Sequence, residues 1–282
     1  MPWHRFSRIL AAFWLGVALA SGAARAHEDR DDTLARLDAA IAEQPNEPLL
    51  WCDRAVLERR RGNFARAHLD LTHAVELGLD PSLAKRDRGL IWFDERRFDD
   101  AEASLRAARA QAPDDPPILL AHARALAALE RWLEASDTYA RLVELAPNSS
   151  PDVQLERIAA VEAAGGIENA LAAADSALVV LGSVPALEEK SLDLELRAGR
   201  IDAALARLDR MNSGSAQRDT LLLRRAEILE RSGRSQAARA AYADALAALD
   251  SRSASRRSTP AARQLESQVR EGIARLAQGD AP

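Results

Sequence analysis

Alanine returns along this chain at a fixed interval. Ala67, Ala101 and Ala135 lie 34 residues apart, and after one inserted residue Ala170, Ala204 and Ala238 resume the same step. In an alanine-rich sequence that alone would mean little, but the neighbours keep step too. Three residues earlier stand Phe64, Phe98, Trp132, Ile167, Ile201 and Ser235, five of them large and apolar. Four residues later come Leu71, Leu105, Tyr139, Ala174, Leu208 and Tyr242, and seven later Ala74, Ala108, Leu142, Ala177, Met211 and Ala245. Five residues earlier, glycine fills four of six places, at Gly62, Gly165, Gly199 and Gly233. A period of this length means stacked supersecondary units, each unable to bury its apolar face alone.

The offsets −3, 0, +4 and +7 fall on one face of a helix, so the second half of every unit reads as an amphipathic helix. The first half carries its own stripe, as in Trp51-x3-Ala55 or Gly89-x2-Trp92, and the glycine marks the turn between the two. Composition agrees. Of 282 residues 48% are apolar, mostly Ala and Leu, and only 4% aromatic, while alternating β-branched segments are missing. Such a chain favours helix and offers little for a sheet.

With these residues in place, the chain resembles the tetratricopeptide repeat family. The unit 82–115 matches that signature at Gly89, Trp92, Phe98, Ala101, Leu105, Ala108 and Pro113. The unit 116–149 matches at Leu119, Ala123, Trp132, Ala135, Tyr139 and Pro147, and 48–81 at Trp51, Ala55, Phe64, Ala67 and Ala74. Three further units, 151–184, 185–218 and 219–252, follow more loosely. Ile158 and Leu192 replace the small residue of the first helix, and the closing proline is missing. The resemblance implies an all-α fold, a right-handed α-solenoid of six stacked helix-turn-helix units over 48–252.

Both flanks read as caps. Residues 27–47 give a polar tail and one helix, with Leu37 and Ala40 in register and Pro45 closing it. Residues 253–282 give a Ser/Arg-rich linker and a helix with Leu265, Val269, Ile273 and Leu276 on one stripe, ended by Gly279. Terminal repeats need such covers.

Residues 1–26 are of another kind. Arg5 and Arg8, a twelve-residue apolar run from Ile9 to Ala20, and Ala24-Arg25-Ala26 together predict a cleaved secretory signal, processed after Ala26. The run is too short to span a bilayer, which takes roughly 20 apolar residues. No stable membrane insertion is therefore expected after cleavage, and a periplasmic location is. Cleavage removes Arg5, Arg8 and Arg25, leaving 35 basic against 43 acidic residues, a net charge of −8. That sign argues against nucleic acid, which needs a basic face. A single cysteine, Cys52, gives no internal disulfide.

The residues of catalysis are sparse. His68 and His73, five apart, stand about 140° from one another around a helix and share no ligand face. His122 is alone, Cys52 has no activating neighbour in sequence, and no phosphate loop, HExxH or GxSxG occurs. The expectation is a non-catalytic protein with no cofactor and no metal site. An alternative is an exported small-molecule or metal-binding protein, since cleavage after Ala26 would set a free amine beside the His27 imidazole, a chelate suited to copper.

The family resemblance implies that first helices line a concave groove. On its register the groove positions of the N-terminal half include Cys52, Val56, Arg59, Arg60, Arg86, Leu90, Phe93 and Arg124. Those of the C-terminal half include Asp152, Glu162, Glu189, Asp193, Glu227 and Glu230. The expected groove is basic and partly apolar at one end and acidic at the other, a field able to orient an extended peptide. The lysine and asparagine of the family's carboxylate clamp are absent, Cys52 and Val56 standing in their places. The expected partner is an extracytoplasmic protein or peptide, and the sequence leaves the oligomeric state open.

Overall fold

The computed structural model describes residues 32–212 and 218–278. The expected signal sequence, its cleavage site after Ala26, His27 and Gly279 all lie outside these residues. Among the described residues there are fifteen helices and no strand. They fall into two compact units, Met1–Ala146 and Pro147–Pro282. The division comes just before the inserted residue at which the 34-residue step slips.

The first unit has α1 (residues 32–43) and three hairpins: α2 (Pro48–Arg60) with α3 (Phe64–Glu76), α4 (Pro81–Asp94) with α5 (Phe98–Arg109), and α6 (Pro116–Ala128) with α7 (Trp132–Leu145). The second has α8 (Pro151–Gly165) with α9 (Ile167–Leu181), α10 (Pro185–Arg197) with α11 (Ile201–Asn212), and α12 (Arg218–Arg231) with α13 (Ser235–Asp250). It ends with the short α14 (Ala254–Arg257) and the long α15 (Pro260–Gln278).

Each of α2, α4, α6, α8 and α10 opens on a proline, whose missing N–H and fixed φ suit the first helical turn. Side chains cap several of these starts. Asp80 accepts from the Ser82 and Leu83 amides at 2.9 and 3.1 Å, and Asp115 from the Ile118 amide at 3.0 Å. The turn inside each hairpin needs one left-handed residue. Gly62, Gly199 and Gly233 supply it in three hairpins, with φ of 78°, 70° and 75°. Arg96 and Glu130 adopt φ of 62° and 57° at the same place in the second and third hairpins. In the fourth, Gly166 rather than Gly165 takes the left-handed conformation.

Within a hairpin the packing follows volume. The residue three before the end of the first stripe faces the residue four after the central alanine of the second helix. The pairs are Ala55 with Leu71, Gly89 with Leu105, Ala123 with Tyr139, and Ala226 with Tyr242, and every alanine, leucine and tyrosine in them is buried to 1% exposure or less. Where the first helix has the large residue the order reverses, with Ile158 against Ala174, both fully buried in one cluster. The loose match of the fourth unit to the repeat signature is thus a swap that conserves volume, which cores tolerate best. Each fully buried leucine of this kind contributes about 2 kcal/mol.

One position before the small residue, a polar side chain points into the same interface. Arg54 donates to both oxygens of Asp70, at 2.8 and 2.7 Å, and to Asp38 of α1 at 2.7 Å. In the fifth unit the polarity is inverted: Ser191 stands in the first helix and Arg207 in the second. Arg207, 5% exposed, bonds Glu195 at 3.0 and 2.8 Å, Glu188 at 2.7 Å and Asp175 at 3.2 Å. In the fourth unit Arg157 keeps the arginine, but Ala173 occupies the register of Asp70. Its Nε and Nη1 are buried without a hydrogen-bond partner, and burial lowers its pKa.

The closing helix α15 seats on α13 and α12. A Cβ at Gly272 would stand 2.2 Å from Tyr242 Cζ, so only glycine permits this approach. The Tyr242 hydroxyl donates to Glu230 at 2.5 Å, and Arg275 of α15 reaches Glu230 at 3.0 and 3.1 Å.

Candidate interaction face

First helices pack on one another as well as on their own hairpin partners. In the first unit α4 packs on its own α5, on the preceding α3, and directly on α2 and α6; in the second, α10 packs on α8, α9 and α11. First helices thus form a layer of their own within each unit. Their outward faces are the candidate surface for a partner.

In the first unit that face carries Arg60, Arg86, Leu90, Phe93 and Arg124. Arg60 is exposed and helps to line a cavity of about 260 Å³ with Leu37, Val56, Leu57 and Asp53. Burial and the nearby Asp87 raise the pKa of Asp53. Leu90 and Phe93 are half-buried against the cluster around Ala101 and Leu105, and the Phe93 ring lies 5.4 Å from that of Phe98. Arg124 is exposed on α6. Arg86 Nε donates to the buried Asp87 at 2.8 Å.

Two expected groove residues are otherwise employed. Cys52 is 4% exposed, and its thiol donates to Asp87 Oδ2 at 3.2 Å, so it faces the interior and not a groove. Burial first, then the Asp87 charge, push its pKa up to about 12, which makes it inert as a nucleophile. Arg59 is hydrogen-bonded to Asp94 of the next first helix.

The second unit corrects the expectation of an acidic surface. Glu162 accepts from Lys190 Nζ at 2.7 Å and pairs with Arg197; burial opposes ionisation, but these two cations hold its pKa below the usual value. Glu189 pairs with Arg224, and Asp193 lies 3.4 Å from Arg197. Glu230 belongs to the α15 seat. Glu227 and Asp152 are exposed. Glu162 and Glu189 are each neutralised by an arginine 35 residues further on, Arg197 and Arg224.

These contacts share a spacing. Cys52 to Asp87, Arg59 to Asp94 and Glu189 to Arg224 are each 35 residues apart, as are Glu162 and Arg197. Each stitches a first helix to the next first helix. Partly exposed pairs of this kind are worth about 0.5–1 kcal/mol apiece. Complementary charges at one period plus one residue are visible in the sequence, and they separate residues used for stacking from those left free.

Among the described residues no cluster of three His, Cys, Asp or Glu side chains is placed to hold a metal ion, and no helix is long and apolar enough to cross a membrane. His122 is 5% exposed, its Nε2 3.5 Å from Glu102, and burial lowers its pKa.

A tetratricopeptide repeat family model matches residues 93–158. No curated protein matches the chain. Among solved structures it is similar to a tetratricopeptide repeat protein from Parabacteroides merdae, at 16% identity and a TM-score of 0.50, over 86% of this chain and 93% of that one. It is also similar to pilF of Pseudomonas aeruginosa, at 17% identity and a TM-score of 0.52, over 72% of this chain and 91% of that one. A third is YrrB, described as a TPR protein with an unusual peptide-binding site, at 17% identity and a TM-score of 0.51, over 63% and 91%. At such identities the likeness speaks for the fold.

Proposed function

We propose that this chain, built of tetratricopeptide-like repeats, is a non-catalytic interaction scaffold of the periplasm that holds an extended polypeptide against its first helices. One observation carries the reading. After stacking has consumed Arg59, Glu162 and Glu189, the first helices of the first unit still present Arg60, Leu90 and Phe93, a mixed apolar and charged set, and those of the second still present Glu227. Apolar groups half-open between charges suit a peptide bound by alternate side chains and steered by local charge. That YrrB is described as having a peptide-binding site supports the same class of ligand.

Export follows from the leader: Arg5 and Arg8, the apolar run and Ala24-Arg25-Ala26. The role that fits an exported scaffold is assembly or maturation of envelope polypeptides. Two measurements test this. N-terminal sequencing of the protein from the periplasmic fraction should begin at His27. Capture of its envelope partner should be lost in the Arg60→Glu, Phe93→Ala variant and kept in Leu69→Glu, Leu133→Glu, whose residues are exposed on second helices. Equal capture by both variants would refute the first-helix assignment, and a retained leader would refute the periplasmic one.

A further inference from the structure

A cavity of about 680 Å³ lies at the open end of the last hairpin, within the second unit. It is lined by the first two turns of α12 (Arg218, Leu222), the last turns of α13 (Asp244, Ala247, Ala248) and Arg256 of α14, and is open to solvent on one side. The candidate face lies toward the C-terminal ends of the first helices, with Arg60 ending α2 and Phe93 next to the end of α4, whereas this cavity lies at the N-terminal end of α12, so the two sites are separate.

Its charges divide into used and unused. Asp219 is 3% exposed and pairs with Arg252, while its Oδ1 accepts the Thr220 amide at 3.1 Å, so that pair closes on itself. The Ser251 hydroxyl donates to the Ala248 carbonyl at 2.7 Å, leaving its oxygen able to accept. The guanidinium groups of Arg218 and Arg256 make no ion pair or hydrogen bond among the described residues, although every other wall charge except Asp244 has a partner. Two free guanidinium groups against one free carboxylate leave a single net positive charge. Between them the wall is apolar, formed by Leu222, Ala247 and Ala248.

We propose that this cavity binds a monoanionic carboxylate with a small apolar body, its carboxylate held by Arg218 and Arg256 and its side chain on Leu222, Ala247 and Ala248. Planar guanidinium matches carboxylate in bidentate fashion. The volume lies in the range of small-molecule sites. Asp244 disfavours a second negative charge, so a doubly charged phosphate fits less well. The same chemistry is found in a free acyl amino acid and in the C-terminus of a peptide, and the two sources separate by experiment.

The test is calorimetric titration of the full chain at low salt with N-acetyl-leucine, N-acetyl-leucinamide, acetyl-Gly-Gly-Leu and inorganic phosphate. Both acids should bind, and the amide at least 10-fold more weakly. A tripeptide tighter than N-acetyl-leucine marks a peptide terminus as the source, and equal affinities mark the free acid. Arg218→Glu with Arg256→Glu should weaken the acids at least 10-fold while far-UV circular dichroism is unchanged. The milder Arg256→Gln should weaken them several-fold in a chain whose fold is less perturbed. Asp244→Asn should tighten the acids and raise affinity for phosphate. Equal binding of acid and amide, binding indifferent to both arginine variants, or no heat with any acid at millimolar concentration would each overturn the assignment. None of these outcomes bears on the first-helix face, whose variants lie elsewhere.

Discussion

Gly89→Ala isolates the close contact on which the hairpin packing depends. On an open helix this change stabilises by about 1 kcal/mol, because alanine loses less backbone freedom. Here the added Cβ would stand 2.5 Å from Leu105 Cγ, 3.0 Å from Leu105 Cδ2 and 3.2 Å from the Ala101 carbonyl oxygen. Leu105 is fully buried, and its Cγ is too near the backbone to swing aside. Overpacking of this kind costs about 1–3 kcal/mol. The net expectation is a loss of about 1 kcal/mol where the helix scale alone predicts a gain. Leu105→Ala by itself should cost about 2–5 kcal/mol. In that background the clash is gone, so Gly89→Ala should stabilise by about 1 kcal/mol. The assay is urea unfolding followed by circular dichroism and by tryptophan fluorescence, the coincidence of the two probes checking that one transition is being measured. A double-mutant coupling of about 2 kcal/mol is expected, well beyond the few tenths seen for independent sites. Stabilisation by Gly89→Ala in the otherwise unchanged chain, or additivity of the two changes, would refute the contact.

Three other perturbations follow from the same structure. Arg207→Met leaves Glu188 and Glu195 buried without their cation and should cost about 3–5 kcal/mol, read as a lower urea midpoint at unchanged slope; a loss under about 1 kcal/mol would contradict the network. Arg157→Met removes a buried guanidinium that lacks a partner and should stabilise by about 1 kcal/mol, and Ala173→Asp should stabilise too by restoring the Arg54–Asp70 arrangement; destabilisation by both would show that Arg157 is already satisfied. His122 has a folded pKa below its usual 6.5, since burial disfavours the imidazolium, whereas the unfolded chain binds the proton more readily. Its contribution is complete above pH 6.5 and is lost as the pH falls below that value toward the folded pKa. His122→Gln should flatten stability between about pH 7 and 5, and an unchanged slope would contradict a neutral, buried imidazole.

Much of this architecture is written in residue spacing. The central alanines, the large residues three before and the turn glycines specify hairpins, because a helix period and a repeat period together leave few ways to bury the apolar stripes. Two things escape such reading. The turns at Arg96 and Glu130 break the glycine rule, since the backbone bonds that close each helix end, Arg97 N–H to the Trp92 carbonyl and Arg131 N–H to the Leu126 carbonyl, both at 2.9 Å, hold a left-handed conformation that local preference disfavours. Ile158 looks like a departure until Ala174 is seen opposite it, for volume is shared between positions that a single-column signature treats separately. The candidate interaction face was legible only in outline. Register placed Arg59, Glu162 and Glu189 on first helices, but their partners sit 35 residues away, outside any local window. Cys52 was read as a groove position because the family register assigns it there, yet Asp87 draws its thiol inward. The cavity at Arg218 and Arg256 joins α12 to the segment after α13, a meeting that the repeat pattern does not describe.

Site-directed photo-crosslinking tests the central claim most directly. A photoreactive residue placed singly at Arg60, Leu90, Phe93 and Glu227, and at Leu69, Leu133 and Val179 on second helices, would be activated in living cells. The account predicts that the same polypeptide adduct forms from the first-helix positions and not from the second-helix ones. Adducts confined to Leu69, Leu133 and Val179, or distributed evenly over both sets, would contradict it.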